Sequence, residues 1–164
     1  MTASEEAQVT RPGATRPGAT GPGVTRPAPL LTEDNVFFWD AAREGRLVAQ
    51  RCGVCGRLRH PPRPLCPDCH SLEIDVVDLS GEGTLYSYAI LHHPQNPAFD
   101  YPVVAALVDL AEGVRVVSNL VETEPSDITI GMPVVVDFRP TRHDGAVPVF
   151  KPKVPAFKTD DSHG

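Results

Sequence analysis

Apolar and polar positions follow three different rules along this chain of 164 residues. Through residues 1–30 there is no apolar period. Thr10-Arg-Pro-Gly-Ala, Thr15-Arg-Pro-Gly-Ala, Thr20-Gly-Pro-Gly-Val and Thr25-Arg-Pro form a degenerate five-residue repeat. With a proline and a glycine in nearly every unit and almost no large apolar side chain, such a segment cannot bury enough surface to offset its ordering entropy. The period is too short for a solenoid, and glycine does not recur every third residue as collagen needs. The pattern predicts a disordered leader.

A helical pattern follows. Thr32 stands as an N-cap with Glu33 and Asp34 in the first turn, where the helix dipole favours negative charge. Leu31 and Val36 have the spacing of a hydrophobic staple, and Gly45 can close the helix in the left-handed region. The predicted helix, Glu33 to Glu44, carries Phe37, Phe38 and Trp39 in succession. At about 100° per residue, three aromatics sweep roughly 200°, more than one packed face covers. They are candidates for docking on a second domain, a ligand or a partner subunit, against the plainer reading that all three enter the chain's own core.

Leu47 to Arg51 reads as a strand. From Leu72 the period is two: Leu72, Ile74 and Val76 alternate with Glu73 and Asp75 up to Asp78. Ser80-Gly-Glu-Gly83 breaks the pattern before a strand at Thr84 to Leu91. His92 to Tyr101, with two prolines and two aromatics, is a loop. Val103 to Leu110 is nearly all apolar, as expected of a strand covered on both faces. Ala111-Glu112-Gly113 joins it as a hairpin to Val114 to Val121. Val134 to Arg139 is a further strand, and His143-Asp-Gly145 a turn into an edge strand at Val147 to Phe150. About five short strands without helical period predict a mainly β protein with a small Greek-key barrel. An OB-like barrel leads, with an SH3-like barrel or an open sandwich as alternatives. The organisation is then residues 1–30 leader, 31–71 helix and ribbon, 72–152 barrel, and 153–164 a C-terminal tail.

The ribbon is defined by Cys52-Gly-Val-Cys55 and Cys66-Pro-Asp-Cys69, which hold every cysteine in the chain. Two C-x-x-C turns supply the four thiolates of a tetrahedral centre, and their proximity reads as a zinc ribbon. Two disulfides or four unrelated buried thiols are the competing readings. Zn²⁺ suits the site better than iron, since nothing in the sequence calls for redox chemistry. Four sulfurs leave no vacancy for His70, so the metal is structural and closed.

The formal charge of −6 argues against a general nucleic-acid binder. No apolar run reaches membrane-spanning length, and the N-terminus lacks a signal-peptide core. Paired metal-type cysteines without such a signal point to the cytoplasm. Around the knuckles the charge reverses locally. Arg43, Arg46, Arg51, Arg57, Arg59 and Arg63 make the ribbon cationic and able to receive phosphate groups, unless they pair with the acidic remainder of the chain.

The motifs Phe38-Trp39-Asp40, Gly45-Arg-Leu47, Arg51-Cys-Gly-Val-Cys-Gly56 and Pro61-Pro-Arg63-Pro-Leu-Cys-Pro-Asp-Cys69 resemble the start of the DUF35 family. Gly81-Glu-Gly83-Thr-Leu-Tyr-Ser87, Pro102 to Leu110, Gly131 to Phe138 and Pro148-Val-Phe150 match in kind, so the resemblance covers about residues 32 to 152. His70 departs from it, standing where the second knuckle often carries glycine, and the spacer between knuckles is short. The resemblance implies an N-terminal helix, a rubredoxin-like zinc ribbon and a C-terminal OB-fold. It further implies a non-catalytic accessory subunit of a thiolase-superfamily enzyme or a lipid-transfer-protein-like aldolase acting on acyl-CoA. On that reading Arg57, Arg59 and Arg63 are candidates for the CoA phosphates, and Phe37, Phe38 and Trp39 for docking on the partner.

Independent catalysis lacks its parts. There is no cysteine nucleophile left, no H-E-x-x-H, no G-x-S-x-G and no glycine-rich phosphate loop. His92, His93 and Asp100 are what remains for acid–base work. A single-stranded nucleic-acid module is the other alternative, with Tyr86 and Tyr88 on one strand face. The barrel segment is dominated by acids, which a phosphate polymer would meet unfavourably.

Overall fold

The structure is a computed structural model that describes residues 26–153. Most of the expected leader and C-terminal tail lies outside the described residues.

Helix α1 (Val36–Arg43) is shorter than the predicted Glu33 to Glu44. Asn35, not Thr32, occupies its N-cap position. The Asn35 Oδ1 accepts the Thr32 N–H at 2.8 Å and its Nδ2 donates to the Leu30 carbonyl at 3.1 Å. This local bonding by an asparagine side chain gives the backbone an alternative to helix, so residues 33–35 form a turn instead. The other end behaves as predicted. Gly45 has φ +75°, its N–H bonds Ala42 O at 3.0 Å, and the Arg46 N–H bonds Ala41 O at 2.9 Å. Those two bonds are the Schellman pair.

The ribbon is a three-stranded antiparallel sheet in the order β2 (Leu58–Arg59), β1 (Leu47–Cys52), β3 (Ile74–Leu79). The stretch read from sequence as the first barrel strand thus belongs to the ribbon, paired with β1 from Leu47↔Leu79 to Cys52↔Ile74. Alternation marks β3 as a strand but carries no information about which sheet it joins.

The barrel is closed by β4 (Glu82–Leu91), β5 (Val103–Leu110), β6 (Arg115–Leu120), β7 (Pro133–Pro140) and β8 (Ala146–Pro152), in the order β4-β5-β6-β8-β7. A single parallel contact, Leu120↔Phe150, joins β6 to β8. This is the OB-fold arrangement, which sets aside the SH3-like and sandwich alternatives. β8 is therefore not an edge strand: it lies between β6 and β7, and its Phe150 is wholly buried. Along β5 buried and half-buried residues alternate, so one face fills the barrel and the other is only partly covered. The connection into β8 runs through residues 142–144, closed by the Thr141 N–H on Gly145 O at 2.8 Å, with left-handed residues at His143 and Asp144.

A register shift between Leu85 and Ser87 makes Tyr86 the extra residue of a β-bulge in β4. Tyr88 consequently packs against the core while Tyr86 stays half-exposed outside. The shared tyrosine face expected from sequence does not form. The Arg115 guanidinium lies 3.4 Å from the Tyr86 ring centre and is itself held by both Asp109 oxygens at 2.6 and 2.8 Å.

Candidate metal centre and docking surfaces

α1 lies against both the ribbon strand β1 and the barrel strand β8, which settles where its three aromatics go. Phe38 is 5% exposed, enters the common core and stacks near Trp39 and His60, with ring centres 4.9 and 5.1 Å away. Phe37 and Trp39 are half-buried against the same core. Of the three docking candidates, Phe38 is thus withdrawn into the chain, because the helix is covered on two sides rather than one. Ribbon and barrel together take up the aromatic surface that one packed face could not cover.

The four cysteine sulfurs lie within 4.8 Å of one another. Cys52 Sγ and Cys69 Sγ are 3.5 Å apart, and Cys55 Sγ and Cys66 Sγ 3.6 Å. Metal–sulfur bonds of about 2.3 Å in a tetrahedron require sulfur separations of about 3.8 Å, so the donor set fits a thiolate-bound ion. The two knuckles are built alike. The Gly56 N–H bonds Cys52 O at 2.9 Å and the His70 N–H bonds Cys66 O at 3.0 Å. His70 takes up φ 58°, beside 73° for Gly56, so the residue that departs from the family pattern adopts the glycine conformation.

Thiol acidities follow the same symmetry. The Cys55 N–H, pointing at Cys52, lowers that thiol, and the N–H groups of Cys69 and Asp68 hold Cys66 down to about 6. The Arg57 N–H favours the Cys55 thiolate, yet neighbouring Cys52 and burial push that thiol up. The Ser71 N–H likewise favours Cys69, which Cys52, burial and the other two cysteines push up to about 12. Four clustered thiols cannot all ionise by themselves, and a divalent cation supplies the missing positive charge.

The arginines of the ribbon are mostly paired. Arg43 contacts Asp40, Arg46 contacts Glu44 and Asp78, Arg51 contacts Asp75, and Arg57 contacts Asp68. Of the three CoA candidates, Arg57 is an exposed ion-pair member and Arg63 is exposed with no ion pair among the described residues. Arg59 is 7% exposed, and its Nε donates to Gln50 Oε1 at 2.8 Å while both terminal nitrogens lie buried without a partner. Gln50, which sequence reasoning missed, is buried in β1 directly opposite Arg59 and also accepts the Arg63 N–H at 2.8 Å. Its only sequence signal is a polar residue in the apolar run Leu47-Val-Ala-Gln50.

Apolar side chains of the ribbon and of β3 remain uncovered. Val54, Leu65, Leu72, Ile74 and Val76 are between 39% and 71% exposed. The Gly53 N–H bond to Glu73 O sets the phase of the β1–β3 ladder, so the N–H and C=O groups of Ile74 and Val76 face outward along an open sheet edge. His92 and His93 are exposed on their loop, and neither lines the two principal cavities among the described residues. Asp100 lines one of those cavities.

Comparisons with known proteins agree with this architecture. Residues 39–75 match the ChsH2 rubredoxin-like zinc ribbon domain, and residues 76–139 the ChsH2 C-terminal OB-fold domain. A probable enoyl-CoA hydratase alpha subunit of Thermomonospora curvata is 50% identical over 129 residues, covering 79% of this chain and 40% of that one. A DUF35 domain-containing scaffold protein of Methanocaldococcus jannaschii is 37% identical over 101 residues, 60% of this chain and 72% of that one. The solved structure of an Ltp2-ChsH2(DUF35) aldolase contains a chain 50% identical to this one, with TM-score 0.73, covering 77% of this chain and 99% of that one. The chain spans 40% of the length of the hydratase subunit it matches. No helix among the described residues is long and apolar enough to cross a membrane.

Proposed function

The chain belongs to the DUF35 family, as a ChsH2-type zinc ribbon joined to an OB-fold, and from that premise we propose that it is a non-catalytic subunit that binds and activates a thiolase-superfamily acyl-CoA enzyme. The partner is a thiolase or a lipid-transfer-protein-like aldolase acting on CoA-linked lipid or steroid side chains. The observation that carries this reading is the uncovered apolar ribbon: it carries five large exposed side chains and an open strand edge, while its four-sulfur centre leaves an ion no open position. Exposed apolar patches of this kind mark interaction surfaces, and an open edge accepts a strand. The half-buried Phe37 and Trp39 remain docking candidates on the helix.

Zinc is the ion assigned to Cys52, Cys55, Cys66 and Cys69, in a structural role: it neutralises the thiolates and fixes the two knuckles against each other. With the knuckles fixed, Arg57 and Arg63 stand on the ribbon surface to meet the phosphates of CoA at the partner's channel. Arg59 acts from beneath, where Gln50 joins its guanidinium to the Arg63 backbone. The single-stranded nucleic-acid alternative has less support, since Tyr88 turns inward and Arg115 covers Tyr86.

Titration of CoA into the partner enzyme alone, into the pair, and into a pair carrying Arg57→Ala and Arg63→Ala tests the reading. The pair should bind CoA more tightly than the partner alone, and the double variant should lose about tenfold of that affinity. Equal affinity with and without this chain would sink the CoA role.

A further inference from the structure

Among the described residues β3 ends the ribbon sheet, which runs β2-β1-β3. The Gly53 N–H bond to Glu73 O makes Arg51↔Asp75, Ala49↔Val77 and Leu47↔Leu79 the hydrogen-bonded pairs of the β1–β3 ladder. The far side of β1 agrees in phase, since the Cys52 N–H turns the other way, to Arg57 O. Ile74, Val76 and Asp78 therefore direct their N–H and C=O groups away from the sheet, in one row. Edges left open in this way are commonly blunted by proline or by a very short strand. β3 is six residues long without a proline, and the row includes Ile74 and Val76, both exposed.

The charges carried by β3 are all of one sign. Asp75 and Asp78 are exposed, and each gives one oxygen to an arginine: Asp75 Oδ2 to Arg51 at 3.1 Å and Asp78 Oδ1 to Arg46 at 2.7 Å. Arg51 belongs to β1 and Arg46 directly precedes it, so a strand arriving beside β3 meets the carboxylates before the arginines.

Those acids decide what can pair. Two-fold antiparallel pairing of β3 with its own copy has to match outward residues with outward residues. Centred on Asp75, it sets the two copies' Asp75 carboxylates against each other, and like charges directly opposite are destabilising. Centred on Val76, it sets each Ile74 against an Asp78 and takes that carboxylate out of water. Shifts to either side leave fewer pairs and similar conflicts, Glu73 against Asp75 or Val76 against Asp78. A second copy is therefore a poor occupant of this edge.

We propose that the edge of β3 is completed by a strand of the enzyme partner, with apolar side chains opposite Ile74 and Val76 and a lysine or arginine opposite Asp75 or Asp78. This docking mode rests on the accessory-subunit reading and deepens it: main-chain hydrogen bonds supply the adhesion, and the acids supply the selection. Ile74 pairs across the sheet with Cys52, a member of the four-sulfur centre, so an ion held there stiffens that end of the edge.

Amide exchange in the zinc-loaded full chain, free and with the thiolase-superfamily polypeptide that copurifies with it, tests this. Ile74, Val76 and Asp78 should each exchange about tenfold slower or more in the complex, while Asp75 and Val77, already bonded to β1, change by less than about threefold. Val76→Pro removes only an outward N–H and leaves the β1 ladder whole, so zinc content should hold while affinity for the polypeptide falls about tenfold or more. Asp75→Lys with Asp78→Lys should weaken binding to a similar degree. Unchanged exchange at the outward amides, or full affinity in zinc-replete Val76→Pro, would overturn strand addition and leave the accessory-subunit reading standing. If Val76→Pro fails to hold zinc, the exchange pattern of the unmodified chain decides. Lysines tolerated at both positions would overturn the selection by charge. Protection that appears in the free chain as its concentration rises would hand the edge to a second copy. A chain that brings down no such polypeptide would remove the accessory-subunit reading itself, and the docking mode with it.

Discussion

Gly56 and His70 occupy the same position in the two cysteine knuckles, with φ 73° and 58°, each donating its N–H to the carbonyl of the first cysteine of its pair. Only one of them is glycine, so the second knuckle holds a side chain in a conformation that costs an L-residue about 1 kcal/mol. His70→Gly is expected to raise stability by about 0.5–1 kcal/mol without changing metal content, as measured by urea unfolding and elemental analysis. A loss of stability would mean that the His70 side chain makes a compensating contact.

The metal is expected at one zinc per chain, and Cys66→Ser to abolish it. Cys52 and Cys66 are 1% and 0% exposed, so an emptied site leaves buried thiols whose charge nothing offsets. Structural zinc contributes on the order of 10 kcal/mol to such modules. Chelation should therefore melt the ribbon and release Phe38 and Trp39 from their packing, visible as a red shift of the single tryptophan.

His60 supplies a pH dependence whose sign follows from burial. Its pKa lies below the ordinary 6.5 because desolvation disfavours the cation beside Phe38. The unfolded chain therefore takes the extra proton first. The stability is fully present above about 6.5 and is lost as pH falls from there through the folded value, with a slope of at most about 1.4 kcal/mol per pH unit. His60→Gln should flatten this component between pH 7.5 and 5.5 in urea melts. Protonation of the cysteine centre affects both proteins alike, so the difference between them isolates His60.

Gly83 sits where β4 crosses β5 at close quarters. A Cβ there would stand 2.5 Å from the Asp109 carbonyl oxygen, a backbone atom that cannot turn away. Gly83→Ala should cost about 2–4 kcal/mol, read as a lowered thermal midpoint, with the ribbon's metal retained.

The parts of this protein legible in its sequence are those fixed by local rules. The C-x-x-C pairs, the Gly45 helix stop, the β5–β6 hairpin and the His143-Asp144 turn depend on residues close in the chain, and each forms as read. What sequence leaves open is assignment over distance. Alternation at Ile74 to Val77 announces a strand, but only pairing with Leu47–Cys52 makes it part of the ribbon. One extra residue at Tyr86 turns Tyr88 inward, and no composition rule signals a bulge there. The cationic ribbon read from Arg43, Arg46, Arg51 and Arg57 is largely neutralised by acids, some of them more than twenty residues away. Arg59 looked like surface charge and is buried, because its partner Gln50 lies on the facing strand.

The measurement that tests the central claim most directly is the activity of the partner enzyme with and without this chain. A tagged copy is purified from native extract, the thiolase-superfamily polypeptide bound to it is identified by mass spectrometry, and its turnover of a CoA thioester is assayed alone and after adding back the zinc-loaded chain. The account predicts activity restored in proportion to the chain added, up to a fixed stoichiometry, and no restoration by Cys66→Ser. An enzyme equally active alone, or a chain that purifies with no thiolase-like polypeptide, would contradict it.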